Sequence, residues 1–288
     1  MFLVLAREIR DHIYNKLLLA PNETPPEPSE RITLQLTSRP WRQIPLARGT
    51  CVGLMSTCRQ VYGEIIASIE RHGGLSFELQ LKVNRIPQGF GYEQILPRWI
   101  RFPLLMYPKS LEPRIAASAT IPNSKCRKFY LSFEIQSQNT FSWWGDGGPT
   151  SLTTTLFNML AAFLLHGPLG LQHSIPAESD IRAHMWDIDT LVVDVIGGGT
   201  TFEDPDNGQL CTVPETVVTD TQRQLYMQLR KICRSGALAG RVRVVILSVA
   251  GDIKNEWLID QGKKISVKLR DQWARYGWII EKKDLEKS

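Results

Sequence analysis

Two apolar stretches constrain this chain more than any other feature. Residues 188–197 (IDTLVVDVIG) and 241–251 (RVRVVILSVAG) carry Val, Ile and Leu at successive positions with little alternation. That pattern belongs to strands covered on both faces, the usual state of a parallel sheet. Parallel neighbours cannot be joined by a tight turn and need a crossover, normally a helix. Helical spacing appears where it is needed, at Leu225, Leu229 and Ile232 between the two stretches, and at Leu152, Leu156, Met159, Leu160 and Phe163 before the first. Two further segments alternate with period 2, Leu75, Phe77, Leu79, Leu81 and Val83 in one and Phe129, Leu131, Phe133 and Ile135 in the other, as half-buried strands do. The expected fold class is α/β, or α+β, with a mixed, partly parallel sheet and covering helices on at least one face. The last segment, residues 263–280, reads as a helix through Ile265, Leu269, Trp273 and Tyr276, although Ile265, Val267 and Leu269 also suit a strand.

The first 74 residues have a different character. Leu5, Ile9, Ile13 and Leu17 form an i, i+4 ladder, and Leu54, Cys58, Val61, Tyr62, Ile65 and Ile69 form a second apolar face that stops at Gly73 and Gly74. Between them the Pro/Glu-rich stretch 20–30 offers nothing to bury, and short extended pieces are expected at 32–36 and 42–47. The organisation is therefore a helical part, 1–74, with a Pro-rich insertion, and an α/β platform, 75–288, forming one compact unit.

With 43% hydrophobic and 22% charged residues, 288 residues suffice for a large core. Five cysteines, an odd number with no C-x-x-C pair, indicate thiols in a reducing, intracellular setting, cytoplasmic or nuclear. No apolar run reaches the ~18 residues of a membrane span, so no membrane partner is expected. Charge is segregated: residues 31–128 hold 15 Lys/Arg against 5 Asp/Glu, whereas 178–222 hold 10 Asp/Glu against Arg182 alone. The basic stretch mixes Arg39, Arg42, Arg48, Arg98, Arg101 and Lys109 with Trp41, Trp99 and Tyr107. No helix gathers them on one face, so only weak, salt-sensitive nucleic-acid binding is expected from them.

Chemistry is sparse. Gly197–Gly199 follow a strand but lack the G-x-G-x-x-G register or a Lys-Ser/Thr pair, and run into the acidic loop of Glu203, Asp204 and Asp206, which repels phosphate. That loop reads as a flexible surface turn and lacks the register of a calcium site. His166, His173 and His184 match no zinc spacing, so neither metal nor cofactor is assigned. No G-x-S-x-G elbow exists, and Cys58 falls on an apolar helical face. No catalytic residue is assigned. An α/β enzyme stays open as the alternative, with Asp194, Asp252 or a histidine converging at the carboxyl ends of the central strands. Trp143 and Trp144, in a Gly/Pro-rich loop, suit either a partner's surface or the edge of the core.

The motifs at 2–19 (FLVLAREIRDHIYNKLLL) and 54–66 (LMSTCRQVYGEII) together resemble the fungal F-box-like class, in which a Leu-Pro-x-Glu-Ile-Arg-x-x-Ile-Tyr helix precedes a Leu-x-x-Thr-Cys-Arg-Gln-Ile/Val-Tyr helix. The resemblance covers about the first 70 residues, with Ala6 standing where the class has proline. It implies a non-enzymatic protein-protein interaction module, a substrate adaptor or scaffold. In that reading Leu5, Ile9 and Ile13 dock on the linker subunit of a cullin-type ubiquitin ligase and the α/β remainder is the target-binding platform. The same apolar face would equally serve to pack the helix on the chain's own sheet.

Overall fold

A computed structural model describes residues 2–21, 52–55, 57–85, 93–103, 125–138, 150–171, 186–204, 208–278 and 285. The four strands expected at 75–83, 128–136, 188–196 and 241–249 form, and two more join their sheet. In chain order the elements are α1 (Arg7–Leu19), α2 (Val52–Met55), α3 (Arg59–Arg71), β1 (Leu75–Arg85), β2 (Glu93–Arg101), β3 (Lys125–Gln136), α4 (Ser151–His166), β4 (Asp187–Ile196), β5 (Thr201–Glu203), β6 (Leu210–Thr212), α5 (Glu215–Ser235), β7 (Val242–Val249), β8 (Asp252–Leu258) and α6 (Val267–Ala274). Six strands make one sheet in the order β2-β1-β3-β4-β7-β8. Its four central strands are parallel, and β2 and β8 close the two edges antiparallel. The protein is an α/β fold with a mixed, mostly parallel sheet.

The register explains why the two long apolar strands sit in the middle. Phe77, Phe129, Leu191, Val245 and Trp257 face one another across five strands. This row and its odd-numbered neighbours make the helix-covered face. Phe163 of α4 stacks on Phe129 with ring centroids 4.2 Å apart and meets Phe77 edge-on at 5.8 Å. Tyr226 of α5 lies 5.8 Å from Trp257 at the far end of the row. Helix α4 is buried almost all round, with Leu152, Leu156, Phe157, Leu160 and Phe163 at 2% exposure or less, because the sheet lies on one side and α5 and α6 on the other. At roughly 1.5–3 kcal/mol for each fully buried large apolar side chain, this layer is the main favourable contribution to folding.

The opposite face mixes apolar residues such as Val192 and Ile246 with a polar row. Gln80, Ser132, Asp194 and Ser248 form the equivalent transverse row, and Arg98 on β2 donates to Gln80 Oε1 at 2.6 Å.

Helix α3 stops where Gly73 and Gly74 adopt φ of +74° and +119°, and the Gly74 amide donates to the Ile69 carbonyl at 3.0 Å. A Cβ on Gly74 would stand 2.6 Å from the Lys125 carbonyl oxygen, so glycine there also lets the chain enter β1 against β3.

Four expectations are corrected. The acidic loop after Gly199 contains a two-stranded antiparallel hairpin, β5–β6, whose ladder runs Thr201 to Thr212, Phe202 to Cys211 and Glu203 to Leu210. Partly buried Phe202 packs it on the core. The terminal helix is only Val267–Ala274, capped by the Ser266 hydroxyl, while Ile265 makes a parallel bridge to Leu285. Cys58 is exposed, because α3 begins at Arg59 and leaves this residue in extended backbone as its N-cap. The fourth concerns α1 and is described below. The extended pieces expected at 32–36 and 42–47 lie outside the described residues.

Candidate functional site

Helix α1 packs on α3 through a face different from its apolar ladder. The buried side chains of α1 are Arg10, Tyr14 and Leu18, again an i, i+4 series but rotated one residue from Leu5, Ile9 and Ile13. Arg10 and Tyr14 can be buried only because α3 supplies a partner. That partner is Glu64, itself 6% exposed. Arg10 donates from Nε to Glu64 Oε2 at 2.9 Å and from Nη2 to Oε1 at 2.6 Å, a forked pair of charge-assisted bonds. The Tyr14 hydroxyl donates to Oε2 at 2.6 Å, Gln60 Nε2 to Oε1 at 3.1 Å, and Arg7 Nη1 lies 2.9 Å from Oε1.

The remaining donor of Arg10 turns back along its own chain to the carbonyls of Leu3 and Leu5, fixing the segment that leads into α1. The Arg10 hydrogen bonds hold the Glu64 carboxyl well below the usual carboxylate range, outweighing the burial that pushes it up. Burial, followed by the bond to Glu64, raises the Tyr14 hydroxyl to about 12. Around this centre Arg71 and Arg7 flank Asp11, lowering its carboxyl, and Asn15 joins Ser68 and His72.

The orientation this lock imposes turns the apolar ladder outward. Leu5 is 39% and Ile9 51% exposed, Ile13 is half-buried, and Leu3 and Val4 add 41% and 87%. The ladder is therefore not the face that packs α1 on the rest of the chain, which is the fourth correction: only Leu17, at its end, contacts the core. Trp143 and Trp144 lie outside the described residues.

A second cluster lies near the carboxyl end of β4. Asp194, 1% exposed, accepts from the Ser248 hydroxyl at 2.6 Å, from the Gly251 amide at 3.2 Å and from the Tyr130 hydroxyl in a short bond. The cluster ties β3, β4 and β7 to the tight turn at Ala250 and Gly251, where both residues have positive φ, as a two-residue hairpin needs. Asp252, the other carboxylate considered there, is exposed. At the start of α5 the Glu215 carboxylate lies over Gly198, where a Cβ would oblige that side chain to shift. This helix N-terminus already faces a carboxylate of its own chain.

Two carboxylates of the acidic stretch are paired by arginines that lie outside the basic stretch. Asp187 and Asp189 of β4 pair with Arg241, just before β7, and with Arg243 of β7, and the Arg243 hydrogen bond lowers the Asp189 carboxyl, with Arg127 of the basic stretch contributing less. Among the described residues no three His, Cys, Asp or Glu side chains gather as metal ligands, and no helix is long and apolar enough to cross a membrane. His173 and His184 lie outside those residues.

Sequence reasoning missed Glu64, Arg10 and Tyr14. The rival i, i+4 series Arg10, Tyr14 and Leu18 is readable in the sequence, but its burial depends on a carboxylate 54 positions away from Arg10. Comparison of the chain with protein-family models, with curated proteins and with solved structures finds no match in any of the three.

Proposed function

We propose that the chain is a non-enzymatic protein-interaction module of the F-box-like kind, in which α1 presents Leu5, Ile9 and Ile13 to a partner. The observation that carries this reading is the buried Arg10–Glu64–Tyr14 lock. It uses the polar face of α1 for internal packing and leaves a stripe of large apolar side chains facing water. Such stripes are characteristic of interaction surfaces. Helix-in-groove recognition reads side chains at this i, i+4 spacing. The resemblance of the two N-terminal motifs supplies the partner class, the linker subunit of a cullin-type ubiquitin ligase, with the sheet and its helices as platform.

The test is direct binding of the purified chain to that linker subunit by titration calorimetry. Binding is expected, with loss on Leu5→Glu or Ile9→Glu and retention on Leu258→Glu, a substitution at a β8 residue that is 76% exposed. No binding by the unaltered chain removes the adaptor reading. Binding indifferent to both α1 substitutions removes α1 as the docking element.

A further inference from the structure

Helix α5 carries two adjoining cavities along one side, of about 230 and 300 Å³, which share Gln228. Their α5 residues run from Asp220 through Arg223, Met227 and Lys231 to Arg234, spaced three or four apart, with Ser235 beside the last, so they form one groove beside the helix. At ~1.5 Å per residue its length is about 22 Å, which an extended segment of roughly seven residues spans.

The larger cavity has an aromatic floor. Phe157 of α4 meets Trp273 of α6 at 5.0 Å and Tyr276 at 5.3 Å, and Trp273 and Tyr276 are 5.9 Å apart. The two Phe157 contacts are edge-on, so the rings make a bowl for one apolar side chain and not a flat platform on which bases stack. Lys231 and Arg234 stand exposed on its rim, and Arg223 stands exposed at the other cavity. Among the described residues none of these three cations has an ion-pair partner, and Asp220 is the only carboxylate lining the groove. Three cations against one anion leave the groove at +2.

We propose that this groove receives an acidic linear segment of a partner protein, with one large apolar side chain seated on Phe157, Trp273 and Tyr276 and flanking carboxylates facing Lys231, Arg234 and Arg223. Charge complementarity selects the sign of the segment, and the bowl selects its anchor. The site uses elements other than α1, so it does not depend on the docking of α1 on a ligase.

Panning the full-length chain against a displayed library of random dodecapeptides tests this, followed by fluorescence-polarisation titration of synthetic copies of the enriched sequences. Enriched peptides are expected to be net negative with one aromatic or long aliphatic residue. Their affinity is expected to fall about tenfold or more for Lys231→Glu/Arg234→Glu and less than about twofold for Arg230→Glu, an exposed change on the same helix outside the groove. If the double variant fails to match the parent's melting temperature, Gln272→Glu on the facing wall adds the same repulsion by a single exposed change and is expected to weaken the peptides likewise. The proposal is overturned by neutral or basic winners, by no enrichment over a blank surface, or by affinities unmoved by the groove variants. Displacement of the peptides by a dodecamer of thymidylate at equal concentration also overturns it.

Discussion

Replacing Glu64 by glutamine probes the lock on which the orientation of α1 rests. Glutamine keeps the shape and one acceptor oxygen but turns the other into an NH2 group aimed at donors, and it leaves Arg10 buried without a counter-charge. Removing one member of a buried, hydrogen-bonded ion pair costs about 3–5 kcal/mol. The Arg7 contact, with a side chain 40% exposed, adds only about 0–1 kcal/mol. Against the typical total of about 5–15 kcal/mol this is a large fraction, and at about 2–4 °C per kcal/mol the melting temperature should fall by about 6–20 °C.

Because the folded carboxyl titrates below its unfolded value, its contribution is complete above about pH 4.3 and is lost as pH falls through the folded value. The stability gap between the parent and Glu64→Gln should therefore narrow on acidification. Urea unfolding monitored by circular dichroism, repeated from pH 7 down to pH 3, measures both quantities. A loss under about 1 kcal/mol at pH 7, or a gap independent of pH, would refute the reasoning.

Three other outcomes are expected. Gly74→Ala should cost at least about 1–3 kcal/mol in chemical denaturation, since it combines a φ of +119° with a Cβ against the Lys125 carbonyl. Asp194→Ala orphans the buried Ser248 hydroxyl, at about 1–3 kcal/mol, and loses less at half-buried Tyr130 and exposed Gly251, whereas Asp194→Asn keeps an acceptor for Ser248 and should melt between that variant and the parent. Burial pushes the Cys126 and Cys233 thiols up, the latter to about 12, so iodoacetamide at pH 8 with peptide mapping should modify exposed Cys58 and leave those two intact until denaturant is added.

The central strands were legible because each advertises its own burial, β1 and β3 by alternation and β4 and β7 by unbroken apolar runs. The edges were not. Strand β2 contains Pro97, which an edge strand tolerates but which breaks a strand pattern on reading, and β8 is largely solvated along DIKNEWL. The ladder in α1 announced that an amphipathic helix forms. It did not say which side faces inward, because the deciding residue, Glu64, is one charged position within an otherwise ordinary helix. The Asp194 cluster was half visible: the sequence places Asp194 near the carboxyl end of a central strand, but its partners Tyr130 and Ser248 lie on neighbouring strands and follow only from the register. The groove beside α5 combines three helices distant in sequence, and no local pattern marks it.

The strand order has a consequence for how the molecule assembles. Apart from the exchange of β1 and β2 at one edge, the order across the sheet is the order along the chain. Each strand after the first therefore meets a neighbour that was synthesised before it, and no strand has to insert between two others already paired. Such a sheet can widen laterally while the polypeptide is still emerging from the ribosome, with α4 and α5 folding down after each addition. Growth ends at β8, which arrives through the tight turn at Ala250 and Gly251. There an irregular register against Leu247 and Ser248, with Lys254 as the extra residue, leaves a poor template for a seventh strand.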